Sequence, residues 1–220
     1  MIYQTLWNNL PYLAEGAAMT VALAVALLVI GLAVGTALGL SQSYGAWPLR
    51  WGATLIERLF RAIPAVVLLF LFYYGISGFY DISSFAAAAL ALGLRSAAYQ
   101  SQIFRGAIAS VPSGQMAAAR ATGLTRRQAI TAVVLPQALR QAIGPWTNEA
   151  LSELKDTSLA YTIGVVELMR QADYIVSANY GHTLAVYGAA AVMYLLLSLA
   201  ATWLLHRADA QLRVPGFAHS

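Results

Sequence analysis

Three ionisable side chains fall within segments that are candidates for membrane spans. Arg95 lies in the middle of a long uncharged run, and Glu149 and Glu153 are four residues apart, which places them on one face of a helix. A charged group at bilayer depth costs about 2.5 to 3.5 kcal/mol, so each should face the protein interior or water. We therefore interpret Arg95, Glu149 and Glu153 as a zwitterion site. The guanidinium would bind an α-carboxylate, and one carboxylate would bind an ammonium or a cationic side chain.

A second explanation accounts for the same residues equally well. If the two segments are centred near Arg95 and Glu153, these side chains lie at similar depth and could form a structural ion pair. Such a pair would lock two helices together and never contact a substrate. Both explanations place an arginine against a glutamate, so the sequence alone leaves the choice open.

A polar run directly after the two glutamates interrupts the apolar pattern. Irregular backbone at membrane depth is tolerated where it lines a cavity, so this run is a candidate gate. Its four residues are Lys155, Asp156, Thr157 and Ser158. The alternative is that the helix carrying the glutamates simply ends here.

Several kinds of chemistry are disfavoured. The chain has no cysteine, which excludes disulfides, thiolate metal sites and cysteine nucleophiles. Its three histidines, at positions 182, 206 and 219, are too scattered to predict a metal cluster. No Gly-x-x-x-x-Gly-Lys-Ser/Thr phosphate loop is present, and the single lysine is not preceded by glycines. We expect no cofactor, no metal and no ATP hydrolysis in this chain.

The composition predicts an all-α membrane protein with one domain. Of 220 residues, 60% are hydrophobic and only 10% are charged, whereas a soluble domain has about 25% charged residues. About 20 apolar helical residues are needed to cross a bilayer. The pattern predicts five transmembrane helices, at about 17–40, 58–80, 84–108, 141–163 and 183–205. A cleaved signal peptide is disfavoured for the first, because no Lys or Arg precedes it.

The arginines predict the orientation. Cytoplasmic loops are enriched in Lys and Arg, and here the first loop, the third loop (about 109–140) and the tail with Arg207 and Arg213 are basic, whereas the N-terminal segment has no basic residue. Five spans with the N-terminus outside and the C-terminus inside satisfy this pattern. With four spans the basic third loop and the basic tail would lie on opposite sides, which is why the weak fourth span is retained.

The third loop carries signals for two short helices. A first helix should start at Ser113 and stop at Gly123, a natural left-handed terminator. Thr125 followed three residues later by Gln128 fits a capping box, and the helix it opens should run to about residue 135, where Pro136 interrupts it. A loop with this punctuation indicates a shaped docking element.

The docking element should present a small face and an apolar knob. Its alanines would let another protein approach closely, and Leu124 follows directly after the turn. A basic surface hairpin attracted to anionic lipid headgroups is the alternative explanation of this loop. The small face comprises Ala117, Ala118, Ala119 and Ala121.

The loop resembles the EAA loop of ATP-binding-cassette importer permeases. That motif reads Glu-Ala-Ala, three residues, Gly, nine residues, Ile, one residue, Leu-Pro. This chain matches it from position 117 to Pro136, with Ala117 in place of the Glu and Val133 in place of the Ile. The first change removes a charge that helps fix the coupling helix in the family. The resemblance implies ATPase-coupling roles for Ser113, Gly114, Ala117, Ala118, Ala119, Arg120, Gly123, Leu124 and Pro136.

Further motifs, in the family's order over most of the chain, narrow the resemblance to the polar amino acid permeases of histidine, glutamine and arginine type. They include residues 58–64, with Leu-Phe-Arg and Pro64 in place, then Ile103-Phe-Arg-Gly106, Asn148-Glu149 and Leu154-Lys-Asp-Thr-Ser-Leu159. Each motif is short, but the ordered set is similar to the family throughout.

The resemblance implies a permease subunit of an ATP-driven amino acid importer in a bacterial inner membrane, working by alternating access. Its implied partners are a second permease subunit, identical or different, two ATPase subunits that bind ATP and Mg, an extracytoplasmic substrate-binding protein and the lipid bilayer, with no nucleic acid. The two acids on one helix favour a cationic amino acid as substrate.

The sequence disfavours two other function classes. An ion-coupled secondary transporter for small zwitterions would usually show internal repeats with paired broken helices. Only one candidate break is visible, and five spans do not divide into equal halves. A membrane-embedded enzyme or electron-transfer subunit would require paired histidines or interfacial catalytic carboxylates, which the sequence does not offer.

Overall fold

The computed structural model describes residues 2–178 and 180–212, so the predicted tail residue Arg213 lies outside the described residues. Regular structure in the described part is helical. The helices are α1 (Ile2–Tyr44), α2 (Trp47–Ala62), α3 (Ala65–Ser77), α4 (Ser84–Ser110), α5 (Ser113–Ala121), α6 (Arg126–Ala129), α7 (Leu135–Asp156), α8 (Leu168–Ala178) and α9 (Thr183–Leu212). A π-helical turn (Ile130–Val134) joins α6 to α7, and 3-10 segments follow α7 (Thr157–Ile163) and precede α9 (Tyr180–His182).

Helix α4 is the centre of the fold, and α1 packs along it through a stripe of glycines. Gly31, Gly35 and Gly39 recur every four residues and therefore lie on one face of α1. A Cβ added at Gly35 would lie only 2.8 Å from the carbonyl oxygen of Ala97. Small residues are used in this way at helix contacts in membranes, where they let two backbones approach closely.

A buried glutamine ties α4 to α7. Gln100 is fully buried, its Nε2 donates to the Ser96 hydroxyl at 3.0 Å, and its Oε1 accepts from the Trp146 indole nitrogen at 2.8 Å. Both ends of the amide are thereby satisfied. Because an unsatisfied polar group in an apolar surrounding is costly, this bridge also fixes how α7 is positioned against α4.

The predicted span 58–80 is not one helix. Helices α2 and α3 meet at a break between Ile63 and Pro64, with an angle of 103° between them. Ile63 is extended (φ −85°, ψ 131°), as expected before a proline, and Pro64 cannot donate a helical hydrogen bond. The prediction was wrong because the uncharged run continues smoothly across a proline that ends the helix.

Two described helices, Tyr3–Tyr44 and Thr183–Arg207, are long and apolar enough to cross a membrane, and the bent α2–α3 pair is a third candidate. The predicted spans 17–40, 84–108 and 183–205 lie inside α1, α4 and α9, whereas 141–163 begins within α7 and ends in the 3-10 segment. α4 contains serine and glutamine residues that are buried against its neighbours, and these polar residues lower the average hydropathy of the helix.

Helix α8 is held by a glutamate at its N-terminus. The fully buried Glu167 carboxylate accepts from the backbone N–H groups of Met169 (2.9 Å) and Arg170 (2.8 Å) and from the Tyr194 hydroxyl (2.7 Å). A carboxylate here satisfies free backbone donors and is favoured by the helix dipole. Through Tyr194 it also connects α8 to α9.

The local predictions for the third loop are largely confirmed. Helix α5 starts at Ser113, Gly123 is left-handed (φ +89°), and Thr125 and Gln128 form both halves of a capping box. The expected interruption at Pro136 was wrong, because the chain stays helical from α6 into α7. The π-helical turn accommodates the proline. Its wider hydrogen-bonded ring lets the backbone N–H of Leu135 donate to the carbonyl five residues back, that of Ile130.

Candidate functional site

Arg95 meets two acids where α4 packs against α7. The nearest contact joins its Nη1 to Asp156 Oδ2 at 3.0 Å, and Glu153 Oε1 lies 3.8 Å from the same nitrogen. The proximity of Arg95 and Glu153 agrees with the prediction that they lie at similar depth. Asp156, assigned by sequence to a gate, is the closer partner. Both acids can reach Arg95, because residues 153 and 156 are three apart and share a helix face.

Burial differs sharply within this cluster. The Glu153 side chain is 1% exposed, whereas those of Arg95 and Asp156 are 19% and 31% exposed. The second carboxylate oxygen of Glu153 is buried and accepts no hydrogen bond from a backbone amide, a hydroxyl or a cationic group of the described residues, and the neighbouring Glu149 carboxyl lies within hydrogen-bond reach of the Glu153 carboxyl. A buried acceptor of this kind is a candidate for a donor supplied by a ligand.

Glu149 lies one turn before Glu153, half-buried and close enough to interact electrostatically with Arg95 and Asp156. Three carboxylates therefore face the single Arg95 guanidinium. The cluster can attract positive charge more readily than negative charge. No grouping of histidine, aspartate or glutamate suited to a metal ion occurs among the described residues.

An aromatic ring extends the cluster to α2. Tyr99, one turn after Arg95 on α4, has the Arg95 guanidinium 5.0 Å from its ring centroid and that of Arg61 at 5.2 Å. Arg61 is held in turn by Glu57, which is buried, at 2.6 Å. The sequence does not by itself bring Glu57, Arg61 and Tyr99 to this cluster, although the spacing of four between Glu57 and Arg61 and between Arg95 and Tyr99 is a local signal.

The four candidate gate residues do not converge on one point. Lys155 is exposed, Asp156 pairs with Arg95, the buried Thr157 hydroxyl donates to the Leu154 carbonyl at 2.7 Å, and Ser158 is half-buried. The backbone changes at this point from α-helix to a 3-10 segment that ends at a left-handed glycine, residue 164 (φ +91°). The helix does end at the predicted break, and it ends beside the charged cluster.

The ATPase-coupling candidates form an exposed corner of the molecule. Ala117 and Ala118 on α5 are exposed, whereas Ala119 is buried beneath them and Leu124 is half-buried. The Arg120 guanidinium donates to the Leu124 carbonyl at 3.1 Å and closes the turn. Ser113, Gly114, Gly123 and Pro136 are also exposed. The small face is therefore narrower than expected, and Leu124 supplies only a partial knob.

Comparison with known proteins identifies a family and several relatives that this chain resembles. Residues 31–214 match the model of a family described as binding-protein-dependent transport system inner membrane component. The chain is 34% identical over 215 residues to the glutamine transport system permease protein GlnP of Escherichia coli K12, covering 96% of this chain and 98% of that protein. It is 33% identical to the L-cystine transport system permease protein TcyB of Bacillus subtilis, covering 90% and 83%.

Solved structures give the same result. A structure described as an amino acid ABC transporter with histidines superposes with a TM-score of 0.87 at 30% identity, covering 94% of this chain and 97% of the other. The MetNI methionine ABC transporter in an inward-facing conformation superposes with a TM-score of 0.73 at 23% identity and supports the fold alone, covering 95% and 98%. The chain thus belongs to the family of inner membrane components of binding-protein-dependent transport systems.

Proposed function

We propose that this chain is the membrane-spanning subunit of an ATP-driven amino acid importer and forms its substrate pathway where α4 packs against α7. The observation that carries the proposal is the charged cluster of Arg95, Glu153 and Asp156, set in a chain whose relatives are permease proteins for glutamine, cystine and arginine. ATP is hydrolysed on partner subunits, because the relatives are permeases.

The charged cluster is suited to a zwitterion. Arg95 offers a guanidinium that can pair with an α-carboxylate, and the unfilled acceptor of Glu153 can receive an ammonium hydrogen. Arg95 is already neutralised by Asp156, so a substrate carboxylate would have to compete with that contact. We infer that substrate entry exchanges the Arg95–Asp156 contact for a contact with the substrate.

The excess of carboxylates supports a cationic amino acid as the preferred substrate. Glu149, Glu153 and Asp156 outnumber Arg95, so arginine, lysine or histidine would find a better electrostatic match than glutamate or aspartate. We propose that one carboxylate binds the α-ammonium and a second one binds the cationic side chain.

Coupling to ATP is assigned to α5 and the turn that follows it. In this proposal the chain makes five spans with its N-terminus outside, so α5 lies in the cytoplasm and docks on an ATPase subunit through Ala117 and Ala118. Closure of the ATPase pair would shift α5 and, through the continuous helix from α6 into α7, the segment that carries Glu149 and Glu153. A second permease subunit, an extracytoplasmic binding protein and a bacterial inner membrane complete the proposed assembly.

An ion-coupled secondary transporter is the alternative that the sequence left open. The family match and the ABC transporter structures do not support it.

Substrate-stimulated ATPase activity and uptake in the assembled complex test the site. We expect Glu153→Gln and Glu149→Gln to raise the KM for a cationic amino acid about tenfold or more, which corresponds to loss of one charge-assisted contact. Arg95→Ala should raise KM for every amino acid. Glu15→Gln, on an exposed position of α1, is the matched control and should leave KM unchanged.

The pattern across variants separates a binding site from a structural lock. If the concentration dependence is the same in Arg95→Ala, Glu149→Gln and Glu153→Gln as in the unmodified complex, the cluster does not contact substrate and the assignment is wrong. Altered protein yield with unchanged KM would identify the ion pair as a lock between α4 and α7.

A further inference from the structure

Helix α2 has two unlike faces, one buried and one exposed. Ala53 and Glu57 are buried, and the Gln42 side chain of α1 donates to the Ala53 carbonyl at 3.4 Å. The opposite side exposes large apolar residues, among them Trp51 at 61%, Leu59 at 51% and Ile56 at 44%. These apolar residues span an arc of one side of the helix, which is the pattern of a helix lying flat in a membrane interface.

A basic and aromatic strip borders the apolar arc. The residues recur every three or four positions along α2 and line a shallow groove of about 280 Å³, formed by Trp47, Arg50, Trp51, Thr54, Leu55 and Arg58. Both tryptophans are exposed, as is typical of indoles at the level of lipid headgroups. We call these six residues the α2 strip.

The charge of the α2 strip is uncompensated. The only acid of α2 is Glu57, which is buried and paired with Arg61. The Arg58 guanidinium makes no ion pair or hydrogen bond with any described residue, and that of Arg50 reaches only the Gly45 carbonyl at 3.5 Å. The two exposed guanidinium groups of the α2 strip therefore have no partner of opposite charge within the described part of the chain.

We propose that the α2 strip binds anionic phospholipid headgroups, with Arg50 and Arg58 pairing with lipid phosphates and Trp47 and Trp51 lying at the boundary between headgroups and acyl chains. The apolar arc through Leu59 and Ile56 would then lie in the acyl region. Charge complementarity selects this occupant, because a zwitterionic or neutral surface leaves the two arginines without a net counter-charge.

Helix α2 connects the α2 strip to the charged cluster through a chain of side-chain contacts. Arg61, on the same helix as the α2 strip, stacks on Tyr99, and Tyr99 also contacts Arg95. Lipid held by the strip would fix α2 at the 103° break before α3 and hold Arg61 against Tyr99. The lipid proposal stands on the exposed face of α2 and does not depend on which substrate the cluster binds.

The proposal is tested by the preference of the intact complex for anionic over zwitterionic lipid. The full complex is placed in nanodiscs with increasing phosphatidylglycerol in phosphatidylcholine, and the lipid retained on detergent extraction is counted by native mass spectrometry. Each arginine at an anionic surface favours the anionic lipid by about fivefold. We expect Arg50→Gln with Arg58→Gln to lower the phosphatidylglycerol preference by roughly 25-fold. Lower ionic strength should raise the preference of the unmodified protein much more than that of the double variant, because the screened charges are the two arginines.

A charge-matched pair controls for net charge. Arg105→Gln with Arg140→Gln also removes two exposed arginines, on α4 and α7. It should leave most of the preference intact. Equal preference in the α2 variant and the unmodified complex, or equal loss in the control pair, would overturn the proposal.

Brominated lipids test whether lipid or protein covers the strip. Brominated phosphatidylglycerol should quench the fluorescence of Trp47 and Trp51 in the assembled complex, measured as the difference from a Trp47→Phe, Trp51→Phe variant. Absence of quenching in the complex means that a partner subunit occupies this face, which also overturns the proposal. Transport is not needed for either readout, so failure of the importer assignment would be recognised separately.

Discussion

Arg95 pairs with both acids of the charged cluster, the buried Glu153 and the partly exposed Asp156. It is the nearest cation to both Glu153 and Asp156, whereas Arg95 itself has two acidic partners. Removing one partner of a buried pair leaves an uncompensated charge, and that loss costs about 3 to 5 kcal/mol. The contacts are therefore unequal: loss of the arginine leaves Glu153 without a counter-charge, and loss of Glu153 leaves the arginine paired with Asp156.

This asymmetry predicts an order of stabilities. Arg95→Gln should lower the stability of the purified complex by about 3 kcal/mol, whereas Glu153→Gln should lower it by about 1 kcal/mol or less. Thermal denaturation followed by size-exclusion chromatography measures both. Glu15→Gln serves as the exposed control. Equal losses for Arg95→Gln and Glu153→Gln would contradict the pairing seen here.

At the level of elements, the contact between α1 and α4 depends on the absence of side chains. A Cβ at Gly35 would lie 2.8 Å from a backbone oxygen of α4, which cannot move aside as a flexible side chain can. Gly188 of α9, by contrast, has open space where a Cβ would be. The two glycines differ in packing although both lie inside helices.

Gly35→Ala should therefore destabilise the protein by about 1 to 3 kcal/mol, the usual cost of overpacking. Gly188→Ala should be neutral or slightly stabilising, since alanine is the better helix former. Thermal denaturation of the two variants side by side measures the difference. A neutral Gly35→Ala would show that α1 and α4 are less closely packed than the structure indicates.

The size of the side chains on α5 also decides how closely another protein can approach this helix. Ala118 is exposed on a small face, so Ala118→Trp should weaken binding of the ATPase subunit at least tenfold by blocking close approach, if α5 is the docking helix. Ala178→Trp, also exposed but on α8, should leave binding unchanged. Co-purification with a titrated ATPase subunit measures both. Unchanged binding in Ala118→Trp would assign docking to another segment.

For the molecule as a whole, the sequence predicted what depends on local order along the chain. The capping box at Thr125, the left-handed Gly123 and the start of α5 follow from residue types at fixed spacing, and the structure confirms them. The break at Pro64 is also encoded locally, since a proline ends a helix, but the uncharged run across it predicts one continuous span.

Contacts between distant segments were predicted only in part. The similar depth of Arg95 and Glu153 predicted that the two could pair. The rotation of α7 that makes Asp156 the nearer partner depends instead on the packing of α4 against α7, including the Gln100–Trp146 bridge. The link through Tyr99 to Arg61 depends on where α2 folds back after the break. No single segment carries these relations, so they required the three-dimensional structure.

The central claim is that this chain moves amino acids by coupling to ATP. It is tested most directly by uptake of radiolabelled amino acids into proteoliposomes that hold the chain with its ATPase subunits, supplied with the binding protein. The account predicts uptake that requires both ATP and the binding protein, persists when proton and sodium gradients are dissipated, and is greatest for cationic amino acids. Uptake driven by an ion gradient without ATP, or no ATP-dependent uptake of any amino acid, would contradict it.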